Sequence, residues 1–193
     1  MARVSRDSGC RKEGRDGDKE KRRETRKLGS PRGRMVKLNT DAALNQQTKK
    51  AGWGIVARDW KGKPVATWAY PSFTCSAPIL EEALAIRSAM VKAALEGWER
   101  IIIESDCKAV IDKIQKDSDD VVISTILQDI KLLKHNFEEC CFSFVRREFN
   151  SVSHKLAKLA LSVESVVDWK TFFPVWLLDS AQADVEEQLL QDV

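Results

Sequence analysis

The sequence predicts an α/β domain in which an antiparallel meander of three strands is followed by helices alternating with two further strands. Three observations carry that expectation. Residues 35–73 alternate apolar and polar positions through three runs separated by turn residues. Residues 79–96 repeat apolar side chains at helical spacing, and Ile101-Ile102-Ile103 is too apolar for anything but an interior strand. The element order along the chain reads β-β-β-α-β-α-α-β-α, with no internal repeat.

In the first strand, Val36, Leu38 and Thr40 fall on one face and Lys37, Asn39 and Asp41 on the other, which puts an acid near the strand's end. AGWGIVARDW at 51–60 reads as the second strand, and Lys61-Gly62-Lys63 as the hairpin turn into PVATWAYPSF. The long helix of 78–96 carries two adjoining apolar stripes, one of Ile79, Ala83, Ile86, Met90 and Ala94, the other of Leu80, Leu84, Val91 and Leu95. Gly97 supplies its C-cap. Glu82 sits at the edge of the apolar arc, whereas Glu81 is expected on the polar side with Ser88, Lys92 and Glu96, merely solvated.

A strand at 100–104 leads to Asp106 and to a shorter helix in CKAVIDKIQK. VVISTILQDIKLLKHNF gives another helix, CCFSFVRREF the last strand, and NSVSHKLAKLALSV a final helix with a polar N-cap region and Leu156, Leu159 and Ala160 for packing. Trp53, Trp60 and Trp68 are expected to pack in the core or on the sheet rather than to serve as base-stacking platforms. The apolar stretch with Trp169, Phe172, Phe173 and Trp176 is expected to form a short helix against the domain.

Charge divides the chain. Residues 1–34 hold 13 Lys and Arg against 6 Asp and Glu, a net of +7, with almost no large apolar side chain, so a disordered basic tail is expected there. The remaining residues carry 19 basic and 23 acidic side chains, a net of −4. The expected organisation is a tail at 1–34, a folded domain at 35–166 and an apolar and acidic extension at 167–193. KEKRRETRK at 19–27 could hold phosphates, serve as a nuclear import signal, or be idle.

No apolar run reaches the length of a membrane helix and the amino terminus lacks a signal peptide's apolar region, so an intracellular protein of nucleus or cytoplasm is expected. The five cysteines have no C-x-x-C spacing, which argues against a disulfide framework or a structural zinc site. Cys140 and Cys141 are adjacent in a strand, so one of them should face the core.

Three acids stand at special places: Asp41 on the first strand, Glu82 on the long helix and Asp106 at the end of the fourth strand. A right-handed crossover through the helix allows the fourth strand to lie parallel beside the first, and in that arrangement Asp41 and Asp106 become neighbours with Glu82 above them. Clustered carboxylates repel one another unless cations lie between them. An oxygen-rich site of this kind suits Mg²⁺ or Mn²⁺, and a pair of ions suits phosphodiester chemistry.

The segments KLNTDAA at 37–43, AGWGIVARDWKGK at 51–63, EEALAIRSAM at 81–90, IIIESDCKAVI at 101–111 and VRREFNSVSHKLAKLA at 145–160 agree with one family in spacing, order and residue type. Residues 35 to about 163 resemble a type 1 ribonuclease H domain, in the reverse-transcriptase-like version abundant in plant genomes and related to retroelements. The resemblance implies a mixed five-stranded sheet flanked by helices. It also implies hydrolysis of the RNA strand of RNA–DNA hybrids with two Mg²⁺ or Mn²⁺ ions; a monomer with no membrane partner is expected. Asp41, Glu82 and Asp106 match the family's first three metal-binding acids, and Asn150 matches a frequent polar residue at the entrance to the last helix, otherwise read as its N-cap. Arg146 and Arg147 are candidates for phosphate contact, or else mark the solvent side of a strand end.

The chain departs from the family at two places. The fourth acid, four residues after the Asn, is His154 here, and it is carried as a metal ligand through a neutral ring nitrogen. The family's mobile loop histidine, which serves proton transfer or product release, has no counterpart between Cys141 and Asn150. Two other functions stay open: a catalytically weak or inactive nucleic-acid-binding domain derived from a retroelement, and a protein-interaction module using the apolar carboxy-terminal segment.

Overall fold

The computed structural model describes residues 35–116 and 121–191, with 187–191 as main chain only. The expectations for the basic tail at 1–34 lie outside the described residues. The strands are β1 (Val36–Asn45), β2 (Lys50–Arg58), β3 (Pro64–Ser72), β4 (Arg100–Ser105), β5 (Glu139–Phe144) and β6 (Val167–Trp169). The helices are α1 (Pro78–Leu95), α2 (Lys108–Gln115), α3 (Ser124–Lys134), α4 (Ser151–Ala160) and α5 (Val175–Gln191), and a 3-10 turn at Arg147–Asn150 leads into α4.

The strands form one sheet in the order β5-β4-β1-β2-β3-β6. β1, β2 and β3 pair antiparallel as the meander. β4 joins β1 parallel, with Thr40 beside Ser105, and β5 joins β4 parallel. The sheet therefore has six strands rather than the five expected. The addition is β6, which pairs antiparallel with β3 through Thr67–Trp169 and Ala69–Val167. Three residues are too few for an alternating pattern to stand out in a sequence.

Helices cover both faces of the sheet, and each face has its own core. On one side Leu38, Ile55, Trp68, Ile86, Met90, Ile103, Ile111 and Ile130 form the larger cluster. On the other, Val56 and Ala69 meet Val152 and Leu156 of α4 and Leu177 and Ala181 of α5. Burial on both sides explains why Asn39 and Asp41, on the face expected to be polar, are 2% and 3% exposed. α4 approaches β2 over bare backbone: a Cβ on Gly54 would stand 2.0 Å from the Ser153 carbonyl oxygen and 2.4 Å from the Ala157 nitrogen. Only glycine admits the helix at that distance.

Several local expectations are corrected. Glu81 is buried, not solvated: its carboxylate accepts the Trp53 indole N–H at 2.9 Å and the Ser76 N–H at 2.8 Å. α1 packs through Ala83, Ile86 and Met90 of the first expected stripe, but also through Ala85, Ala89 and Ala93, small side chains four apart in line with Glu81, whereas Leu95 of the second stripe is 73% exposed. Trp68 is fully buried and Trp53 half-buried, but Trp60 lies exposed in the β2–β3 connection with the Lys61 ammonium over its ring. As expected of the adjacent pair, Cys140 faces the core and Cys141 solvent. The carboxy-terminal helix is 17 residues long, not short. No helix among the described residues is long and apolar enough to cross a membrane.

Candidate metal centre

The parallel pairing of β1 and β4 fixes the site. Asp41 lies one residue past the Thr40–Ser105 pair and Asp106 one residue past Ser105, so the two acids leave adjacent strands side by side. Glu82 descends from the first turns of α1, held over the same edge by the core contacts of Ala85 and Ile86. One carboxylate oxygen from each of Asp41, Glu82 and Asp106 lies within 4.8 Å of the others.

Burial, and after it this crowding, suppresses ionisation. The Glu82 carboxyl is pushed up to about 9, first by burial and then by the charges of Asp41 and Asp106, against the Ala42 N–H and the Arg147 charge, which favour the anion. Burial likewise lifts Asp41 to about 6, opposed by its hydrogen bond to His154 and reinforced by Asp106. Glu82 Oε2 is buried and has no hydrogen-bond partner among the described residues. A buried oxygen without a donor, facing two further carboxylates, fits a hard divalent cation, which would supply the missing charge.

Asn150 is the N-cap residue of α4, yet its side chain makes no cap bond, contrary to expectation. It is 1% exposed, and its Nδ2 donates to the Thr40 carbonyl at 2.9 Å and to Asp106 Oδ1 at 3.2 Å. Its Oδ1 accepts the Ser153 hydroxyl at 2.5 Å, so Ser153 orients the amide that in turn orients Asp106. Sequence reasoning missed Ser153; its spacing three residues after Asn150, on one helix face, is the signal that points to it.

His154, one turn further along α4, places Nδ1 2.8 Å from Asp41 Oδ2. The ring is thus a partner of one acid and stands outside the group of three mutually close ligand oxygens. Arg146 and Arg147 are exposed in the segment between β5 and α4. Arg146 lies 3.7 Å from Glu148, while the charge of Arg147 is felt by both Asp41 and Glu82.

The family model described as reverse transcriptase-like matches residues 39–160, a span that includes all three acids, Asn150 and His154. Among curated proteins, none matches the sequence. RNase H1 from the halophilic archaeon Halobacterium salinarum NRC-1 superposes with a TM-score of 0.62 at 22% identity, covering 66% of this chain and 98% of that one. LC11-RNase H1, isolated from compost and solved in complex with RNA/DNA hybrid, gives 0.60 at 16% identity, covering 66% and 96%. The prototype foamy virus protease-reverse transcriptase gives 0.54 at 16%, covering 72% of this chain and 22% of that one. With the matched span longer than half the chain and the fold shared with these structures, the chain belongs to the reverse transcriptase-like family and folds as an RNase H-like domain.

Proposed function

We propose that the chain is a divalent-metal-dependent endoribonuclease of the type 1 ribonuclease H kind, acting as a monomer on the RNA strand of RNA–DNA hybrids. The observation that carries this reading is the convergence of the Asp41, Glu82 and Asp106 oxygens within 4.8 Å, in a fold shared with a ribonuclease solved on an RNA/DNA hybrid. The five segments that carry the family resemblance, taken together, further support a place in the plant, retroelement-related branch.

Asp41, Glu82 and Asp106 would hold Mg²⁺ or Mn²⁺, as a pair of ions. Bound there, the ions supply positive charge to the attacking and leaving oxygens of a phosphodiester. The protein's own part is positioning. Asn150 aims the Asp106 carboxylate, and His154 engages one oxygen of Asp41. Arg147, and beside it Arg146, offer cations to the phosphates flanking the cleaved bond.

The test is incubation of a labelled RNA–DNA hybrid with the protein in Mg²⁺ and separately in Mn²⁺, with Asp41→Asn as control. Cleavage by the native protein and not by the variant is expected. A folded native protein that binds the hybrid and cuts in neither ion would sink the enzyme and leave a binding domain.

A further inference from the structure

The carboxy-terminal helix reaches the candidate centre through one buried acid. Asp184 of α5 is 4% exposed, and its two oxygens serve different elements. Oδ2 accepts from Arg58 Nη2 at 2.5 Å, at the last residue of β2, and Oδ1 accepts the hydroxyl of Ser151, the first residue of α4. Arg58 is 3% exposed and also donates Nη1 to the Ala181 carbonyl at 3.1 Å, so the guanidinium is fixed to α5 twice. One turn further along α4, Lys155 Nζ donates to Ser180 Oγ at 2.6 Å. Leu177 and Ala181 fill the space between, against Val152 and Leu156.

The helical period gives these ties their meaning. Ser151 and Lys155 lie four apart on the α4 face that meets α5, and Asn150 and His154 lie four apart on the adjacent face that meets the acids. Rotating or sliding the start of α4 therefore moves both pairs together. Asn150 touches Asp106 at 3.2 Å and His154 touches Asp41 at 2.8 Å, hydrogen bonds that a shift of an ångström would break. A buried arginine–carboxylate pair is by itself poor evidence of added stability, because desolvation offsets most of the attraction. The second oxygen of Asp184, spent on Ser151, is what makes the pair a brace for the helix carrying Asn150 and His154.

We propose that Asp184 is a positioning residue for the candidate metal centre: anchored on Arg58, it fixes the start of α4 through Ser151, and so sets Asn150 against Asp106 and His154 against Asp41. Its consequence for catalysis rests on the function proposed above; the positioning itself does not.

The test compares full-length Ser151→Ala and Asp184→Asn with the native chain. Ser151→Ala cuts the tie to α4 with the Arg58–Asp184 pair intact, so it keeps the question open to measurement if Asp184→Asn folds poorly. The primary readout is the Asn150 side-chain amide pair by NMR in metal-free protein, which requires neither activity nor a bound ion. In both variants those signals should leave their native positions and lose protection from exchange, and Mn²⁺ binding measured calorimetrically on folded protein should weaken roughly tenfold. Asp129→Asn, which severs the Arg87–Asp129 pair on α1 and α3, should lower the melting temperature and move neither readout. Asn150 signals that stay at native positions in Ser151→Ala, whatever happens to the melting temperature, would overturn the proposal. A native protein that never cleaves a hybrid would sink the proposed function and leave this result standing.

Discussion

His154 Nδ1 and Asp41 Oδ2 lie 2.8 Å apart across the gap between α4 and β1, so an imidazole occupies the place where the family resemblance puts a fourth acid. It removes one negative charge from the centre and gives Asp41 a hydrogen-bond partner that a carboxylate could not supply. Both effects ease the repulsion among the acids while no cation is bound. The same substitution lowers the charge available to hold a hard ion.

Reversing that substitution should separate the two effects. His154→Asp should lower metal-free stability by about 1–2 kcal/mol, because a carboxylate then faces Asp41 without a hydrogen-bond donor. Mg²⁺ should restore that loss, and Mg²⁺-supported cleavage should rise, whereas the native protein should favour Mn²⁺, which accepts nitrogen ligands more readily. Thermal melts and hybrid cleavage across a titration of each ion provide the check. Identical titrations for native and variant protein would leave His154 without a role at the centre.

The crowded carboxyls set a pH dependence of known sign. Glu82 ionises at about 9 in the folded chain instead of the usual 4.5, mainly through burial and then through Asp41 and Asp106. A carboxyl harder to ionise folded than unfolded gives stability fully present below its unfolded value and lost as pH rises through its folded value. Asp41, raised from 3.8 to about 6, acts in the same direction over the lower part of that range. Metal-free protein should therefore melt at progressively lower temperature as pH rises from about 5 to about 9. At pH about 8, Glu82→Gln should stabilise the metal-free form by on the order of 2 kcal/mol and remove the stabilisation that Mg²⁺ gives the native chain. A metal-free melting temperature that climbs over this interval contradicts the assignment.

Gly54→Ala should destabilise the fold by about 3 kcal/mol, because the added methyl meets α4 main chain, which cannot rotate away as a side chain can. The loss should appear in the denaturant midpoint. A midpoint within a few tenths of a molar of the native value would mean that α4 stands further from β2 than described.

Deleting residues 1–34 removes a net charge of +7 from a chain whose remainder carries −4. Affinity for a hybrid should fall, and the slope of log affinity against log salt should become shallower by roughly one for each phosphate that the tail neutralises. Unchanged affinity and slope would show the tail to be idle in binding.

The sequence by itself determined the meander, the long helix and the buried fourth strand, and singled out Asp41, Glu82 and Asp106 as candidates; the parallel pairing of β1 and β4 is what brings the three together. The elements follow from a local period and the candidates from their places at strand ends and on a helix face, which are written in neighbouring residues. Only the tertiary structure decided the roles of Glu81, Asn150 and Asp184. Glu81 is buried because the Trp53 indole, 28 residues earlier, requires an acceptor there. Asn150 forgoes the cap for Thr40 and Asp106, which lie 110 and 44 residues away in the chain. Asp184 is spent on Arg58, 126 residues earlier. These three buried groups take the partners that the packed elements bring within about 3 Å from distant parts of the chain, and no pattern of local spacing encodes that choice.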